Sequence, residues 1–186
     1  MDEAEAIAKL KTGNIVALRT LIEIYQVQAV QAAVLITQDR AAAEDIVQNA
    51  FLRSYERIEQ FDPSRSFRPW FLRMVINDAL KVAGRQRLHI SLDTQEDGTY
   101  QKLIDKLEAT TDEPEDIVLH NELREAIWKA LRKLSPRQKA VIVQRYYLGL
   151  KESEMSTELN CAPGTVKWHL NSARARLRSL LLPFAK

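Results

Sequence analysis

Apolar positions recur at helical spacing along almost the whole chain, and strand-like alternation is absent. From Ile15 to Ile36 the apolar character is nearly continuous, with Gly13-Asn14 as the start signal. An all-round apolar helix of this kind is expected to be mostly buried. Asp39 is the expected N-cap of the next helix, where Val47, Phe51, Tyr55 and Ile58 form one inward stripe. Phe61-Asp62-Pro63-Ser64 breaks that helix, because proline cannot continue it and Asp-Pro favours a turn. A third helix is expected from about Phe67 to Arg87, with Phe67, Trp70, Phe71, Met74 and Val75 on its inner side. Pro69 sits in its first turn, where a missing N–H costs little.

Residues 91–113 are polar and weakly periodic (Leu103, Ile104, Leu107), which predicts a linker with at most one short helical turn. Pro114 reopens structure, and Ile117 to Leu134 reads as an amphipathic helix. Ser135-Pro136-Arg137-Gln138 has the composition of a capping box with proline in the first turn. That helix is expected to reach Leu148 and to end at Gly149. A short helix, Lys151 to Leu159, and a long one, Pro163 to Leu182, flank the tight turn Asn160-Cys161-Ala162, which is the shape of a helix-turn-helix. Val166, Leu170, Ala173 and Leu177 share the inner face of the long helix, and Met155, Leu159 and Cys161 can pack against them. Lys167, Trp168, Asn171, Ser172 and Arg178 lie opposite. Asn and Lys suit base edges there and Arg suits phosphates. Trp168 has two readings, stacking on sugar or docking on another protein domain. His169 lies on a flank, where a surface role competes with a DNA contact.

The pattern predicts an all-α chain of two small helical domains, 1–90 and 120–186, joined by a flexible linker, 91–119. With 46% hydrophobic residues, there is enough apolar material for packed cores rather than disorder. No apolar run is expected to approach the ~18 residues that span a bilayer. The acidic start MDEAEAIAKL lacks the order of a signal peptide. One cysteine, Cys161, excludes an internal disulfide, and the scattered His89, His120 and His169 have no zinc spacing. A cytoplasmic protein without metal or cofactor is therefore expected. No nucleophile–base set or Gly-rich phosphate loop points to an enzyme or to a small-molecule substrate. Glu44 and Asp45 are adjacent and so face different ways on a helix.

Charge changes this picture when it is divided. Residues 1–90 carry a net +1, 91–119 carry −7 and 120–186 carry +8. No acid follows Glu158, while Lys167, Arg174, Arg176, Arg178 and Lys186 do. Residues 53–87 hold 8 bases against 4 acids. Two basic regions around an acidic connector suit two modules that bind one polyanion; solvated basic surface is the alternative.

The run AEDIVQNAFLRSYERIEQF (43–61), followed by FRPWFLRMVINDAL (67–80), resembles region 2 of bacterial sigma factors of the extracytoplasmic-function group. The run from Leu134 to Leu182 resembles their region 4, with its Leu-Ser-Pro-Arg-Gln entry, Gly-Leu corner, Gly-Thr-Val-Lys recognition helix and Ala-Arg tail. The resemblance implies a dissociable specificity subunit of RNA polymerase, with core polymerase and promoter DNA as partners. It also implies an anti-sigma protein, in some members at the membrane. The first domain would dock on the polymerase clamp and hold the melted −10 strand. The second would sit on the flap and read the −35 duplex.

Residue by residue, the resemblance places clamp contacts at Asp45, Gln48, Asn49 and Leu52, against the alternative of an ordinary polar surface. A melted base needs a π-surface and hydrogen bonders to replace its stack. Phe61, Ser64 and Asn77 are placed in that role, and Arg57, Arg65, Arg68, Lys81 and Arg85 at phosphates. Trp70 is either a wedge at the duplex edge or a core aromatic, whereas Phe71 is expected in the core. The −35 set is Thr165, Lys167, Trp168, His169, Asn171, Ser172, Arg174 and Arg178. The chain departs from the family in its FDPSRSF loop, stiffened by Pro63, and in Trp168-His169 and Ser172 on the recognition helix. Ala162 is a weak N-cap, which leaves that helix start to Pro163 and to DNA phosphates.

A flexible coil of 29 residues averages ~30 Å, while promoter elements about 25 base pairs apart are separated by ~85 Å. The free protein is therefore expected to be compact and to bind promoter DNA poorly until polymerase stretches it. The competing functions are a free-standing helix-turn-helix regulator, which leaves the Ala43 to Leu80 resemblance unexplained, and a helical adaptor.

Overall fold

The computed structural model describes residues 1–89 and 114–184. All regular structure among them is helical. Helix α1 (Glu3–Lys11) starts where Asp2 accepts a hydrogen bond from the Glu5 amide at 2.8 Å. The sequence pattern does not announce this helix. Its Ala6, Ile7 and Leu10 are buried against the next element. Gly13, at φ +83°, turns the chain, and Asn14 caps a 3₁₀ turn (Ile15–Ala17) before α2 (Leu18–Thr37).

Two expectations for α2 need correction. By length and composition the stretch Ile15–Thr37 is apolar enough to cross a membrane, so one run does approach that length. In this fold it is the central helix of a bundle, with Leu21, Tyr25, Ala29 and Ile36 buried. Nor is it buried all round, since Ile24 is 48% and Val27 66% exposed.

Gln38, in the left-handed region at φ 58°, ends α2, and Asp39 caps α3 (Arg40–Glu56) by accepting from the Ala42 amide at 3.0 Å. A 3₁₀ turn (Ile58–Gln60) and the Asp62–Ser66 loop lead to α4 (Phe67–His89). Helices α2, α3 and α4 pack together around an aromatic centre. Phe51 stacks on Phe71 with centroids 4.4 Å apart, and Phe67 lies 5.7 Å from Tyr25. Val47, Phe51 and Ile58 are buried as the stripe requires.

The linker expectation, including the turn near Leu103, falls on residues outside the described ones. Helix α5 (Pro114–Arg132) begins inside the stretch assigned to the linker. Ser135 caps α6 (Pro136–Ile142) through a complete capping box with Gln138. The helix does not run on regularly to Leu148. Val143–Tyr147 winds as a π-turn, with the Leu148 amide donating to the Val143 carbonyl at 3.0 Å. Gly149, at φ +72°, then lets the Leu150 amide reach back to the Gln144 carbonyl at 2.9 Å, one residue further than an ordinary Schellman closure because of the π-turn. Helices α7 (Glu152–Glu158) and α8 (Pro163–Leu181) complete the helix-turn-helix, with Met155, Val166, Leu170 and Ala173 fully buried.

The two lobes touch. α6 and the π-turn rest on α2 and α4, and one apolar cluster runs through both lobes.

Candidate nucleic-acid interface

Asp45, Gln48, Asn49 and Leu52 recur at i, i+3, i+4 and i+7, so α3 must present them on one face. All four are exposed. This ridge separates two unlike grooves. Between α2 and α3 lies an apolar groove of about 800 Å³, lined by Leu18, Ile22, Val27, Val30 and Phe51. Between α3 and α4 lies a cationic groove of about 590 Å³, lined by Arg53, Arg57, Lys81 and Arg85 around Asp78. Leu52 borders both. The expected clamp residues Asn49 and Leu52 thus share a groove with three of the expected phosphate contacts.

Arg53 and Asp78 are site residues that the sequence does not single out. Arg53 pairs with the Asp78 carboxylate, which Lys81 also reaches at 3.1 Å. Burial pushes the Asp78 carboxyl up, but hydrogen bonds and charge from Arg53 and Lys81 outweigh it and leave the carboxyl below its ordinary value. Asp78 therefore stays ionised and holds two cations in place at the groove.

The loop between α3 and α4 is ordered by its own side chains. Asp62 accepts from the Ser64 amide at 3.0 Å and from the Ser64 hydroxyl at 2.7 Å. The bonds from Ser64, hydroxyl first, lower the Asp62 carboxyl, with Arg65 adding at 3.4 Å. Lys11 of α1 donates to the Phe61 carbonyl at 2.8 Å, a tie between residues 50 apart that no local pattern reveals. Phe61 itself is only 3% exposed. Its ring packs 5.5 Å from Phe67 and 5.2 Å from Trp70, so it is a wall rather than an open stacking platform. Trp70 and Asn77 are half-buried, and Phe71 is fully buried. Arg57, Lys81 and Arg85 are exposed. Arg68 stands apart from them. It donates to Gln28 at 2.8 Å and, across the lobe boundary, to the Leu148 carbonyl at 3.3 Å.

On the second lobe, Thr165, Lys167, Trp168, Asn171 and Arg178 are exposed on α8, with Trp168 at 64%. Ser172 is turned inward, where its hydroxyl accepts from Gln138 at 2.9 Å. Arg174 donates to the Tyr146 hydroxyl at 2.8 Å and covers that ring. His169 is half-buried beside the Trp168 ring. Burial and then the charge of Arg137 lower its pKa, so it reaches neutral pH uncharged. No side chain caps α8 at Ala162; Pro163 carries no N–H, and the Thr165 amide already donates to the Ala162 carbonyl at 2.9 Å. Cys161 is half-buried against the core.

Comparisons with known proteins extend this geometry to most of the chain. Residues 21–88 match the family model for sigma-70 region 2, and residues 124–177 match that for sigma-70 region 4. The chain is 31% identical to the ECF RNA polymerase sigma factor SigW of Bacillus subtilis (strain 168), across 94% of each chain. The chain belongs to the extracytoplasmic-function group of sigma-70 factors. Its function is that of an RNA polymerase sigma factor. A free-standing regulator is not favoured, because more than half of the matched sequence is the region 2 that such a protein does not need. SigL of Mycobacterium tuberculosis (strain H37Rv) is 30% identical over 88% of each chain. The sigma-E factor of Escherichia coli (strain K12) is 24% identical over 97% of this chain and 94% of its own. Among solved structures, CnrH in complex with the cytosolic domain of CnrY shares the fold at a TM-score of 0.66 and 22% identity, covering 99% of each chain. RpoE of Bartonella quintana, in complex with the anti-sigma factor NepR, does so at 0.62 and 20%, covering 88% and 95%.

Proposed function

We propose that the sigma factor divides promoter recognition between its lobes as follows. The α3 ridge of Asp45, Gln48, Asn49 and Leu52 docks on the polymerase clamp. Arg57, Lys81 and Arg85, supported by Arg53, hold phosphates of the melted −10 strand, and Arg65 does so from the loop. Asn77 and Ser64 offer hydrogen bonds to an unstacked base, with Phe61 and Trp70 as the apolar wall. On the second lobe, Lys167 and Asn171 face base edges of the −35 duplex. Thr165, Arg178 and the uncapped start of α8 meet its backbone, and Trp168 packs on sugar or on the polymerase flap.

The observation that carries this reading is the sidedness of α3. Its exposed ridge has an apolar groove on one flank and a cationic groove on the other. Protein docking and strand capture therefore use adjacent faces of a single rigid helix.

CnrH was solved with the cytosolic domain of CnrY, and Bartonella quintana RpoE with the anti-sigma factor NepR. By likeness of fold and family we infer an anti-sigma partner for this chain too. The protein then acts in the cytoplasm, and a membrane-bound inhibitor would hold it at the membrane.

Run-off transcription with core polymerase on a library of genomic fragments tests the proposal. Start sites should cluster downstream of two shared sequence elements. Transcripts without a shared upstream element would remove the −35 assignment, and absence of transcripts would remove the whole reading.

A further inference from the structure

Helix α1 precedes residues 21–88, the stretch that matches sigma-70 region 2, so that match gives it no role. Its two ends are nonetheless tied to the first lobe. At its start Glu3 accepts a hydrogen bond from the Tyr25 hydroxyl of α2. At its end Lys11 donates to the Phe61 carbonyl at 2.8 Å. Two residues further, in the turn that follows, the Gly13 carbonyl accepts from the Tyr55 hydroxyl of α3 at 3.2 Å. Between these ties Ala6, Ile7 and Leu10 join the apolar cluster that contains Ile58 and Phe61. Helix α1 therefore rests on the 3₁₀ turn that leads into the Asp62–Ser66 loop.

The loop's own bonds make it a unit without attaching it to the rest of the lobe. Asp62 holds the Ser64 amide and hydroxyl with its carboxylate, and its carbonyl accepts from the Arg65 amide at 3.0 Å. Residues 62–66 are all exposed, so the loop's direction is set where it joins the fold. At one junction Phe67 is fully buried at the start of α4. At the other, the Phe61 ring is walled in by Phe67 and Trp70. A fixed ring still leaves the peptide plane beyond it free to turn about ψ. The Phe61 carbonyl belongs to that plane, and Lys11 pins it. Lys11 is half-buried. Holding so flexible a side chain on one carbonyl costs rotamer entropy that a solvated lysine keeps. After the Ser64 bonds and Arg65, the Lys11 charge also helps to lower the Asp62 carboxyl, which keeps it an acceptor for both Ser64 groups.

We propose that Lys11 is a positioning residue for base capture: bonded to the Phe61 carbonyl, it sets the angle at which the Asp62–Ser66 loop meets the unstacked −10 base. The inference rests on the assignment of that loop and Asn77 to the base. It adds that α1 controls selectivity without touching DNA. Lys11 acts through the backbone, so its loss tilts Ser64 and Arg65 together relative to Asn77 on α4. Hydrogen bonds weaken steeply with angle. The loss therefore falls on the base that fits best, while bases that already fit poorly lose little. Reduced selectivity, not uniform weakness, is the consequence.

The test uses holoenzyme, the full-length chain with core polymerase, on a promoter recovered by run-off transcription and on its single-base −10 variants. Heparin-resistant open complexes are measured on each template. Lys11→Met keeps the stem and the helix propensity but removes the donor, whereas Lys11→Arg keeps a cationic donor. Lys11→Met should lower the preference for the best base over the next by about fivefold to tenfold, the worth of one hydrogen bond. Core-polymerase affinity should be unchanged, and Lys11→Arg should recover most of the preference. A native preference in Lys11→Met overturns the inference. So does an equal loss on every template, which is what a lysine needed only for stability would give. So does a Lys11→Arg chain as unselective as Lys11→Met. Circular dichroism identifies a variant that fails to fold. In that event Tyr55→Phe, which releases the turn that stations Lys11, replaces it, with the same outcomes deciding. If the native holoenzyme opens every −10 variant equally, the base-capture reading itself fails, whatever Lys11 does.

Discussion

Arg53 of α3 and Asp78 of α4 form an ion pair across the helix packing, with side chains 27% and 17% exposed. Lys81 approaches the same carboxylate from the solvent side. The pair fixes the separation of the two helices that flank the cationic groove.

Asp78→Asn should therefore loosen the first lobe by about 1–3 kcal/mol, since it leaves Arg53 half-buried without a counter-charge. The folded carboxyl lies below its ordinary value. Its stabilisation is present above that ordinary value and is lost as pH falls through the folded one. Acid unfolding followed by circular dichroism should show this limb in the native chain and not in Asp78→Asn.

Glu158 predicts the opposite slope. It is 6% exposed and accepts a hydrogen bond from Gln144 at 2.9 Å. Burial lifts its carboxyl from an ordinary 4.5 to about 7. The Gln144 bond opposes this, Glu154 adds to it, and Arg73 and Arg68 oppose it further. Below 4.5 the group is neutral in both folded and unfolded chains. As pH rises toward 7 the unfolded chain ionises first, and the fold loses up to about 3 kcal/mol. The melting temperature should fall between about pH 5 and pH 8, and Glu158→Gln should flatten the decline.

Asn77→Ala tests base capture. It removes hydrogen-bonding groups from a half-buried position on α4 that lies off the exposed α3 ridge. Open-complex formation, measured by permanganate footprinting, should weaken while core-polymerase affinity is unchanged. Equal loss of both would contradict the assignment.

The recognition helix separates two kinds of residue. Lys167→Ala should cost ~1–3 kcal/mol selectively at one base pair if it reads a base, or weaken all sequences alike if it meets phosphate. Ser172→Ala should leave sequence preference untouched and instead lower the thermal stability of the second lobe. Its hydroxyl is the acceptor for Gln138, a capping-box residue. Binding isotherms on a panel of −35 variants, with melting curves, distinguish the two.

Much of the fold is legible because helix ends are local chemistry. Asp39, the Ser135–Gln138 box, Pro163 and Gly149 each do what their side chains or φ freedom dictate. The α3 ridge is legible too, since four exposed positions at helical spacing need no tertiary information. Other features leave no local mark. Helix α1 is short, and nothing local shows what its three buried residues pack against. The exposed side of α2 carries Ile24 and Val27 among Arg19, Glu23 and Gln26, so an apolar residue on this helix does not by itself mark the buried side. Ser172 and Trp168 sit one turn apart on α8, and only the arrival of Gln138 from α6 turns one of them inward. Arg53–Asp78, Lys11–Phe61 and Arg68–Leu148 join residues 25, 50 and 80 apart, and the oppositely charged or polar surroundings that commit them exist only after folding.

The π-turn at Val143–Tyr147 stores one residue of slack. A wide turn accommodates an extra amino acid without rotating the helix beyond it, so shortening the chain by one here would rewind the turn to regular geometry. The DNA-reading helices would keep their aim, while Tyr147 and Leu148 would be drawn back from the neighbouring lobe. Single-codon gain or loss at this point thus offers lineages an adjustable grip between the two halves, independent of what either half recognises.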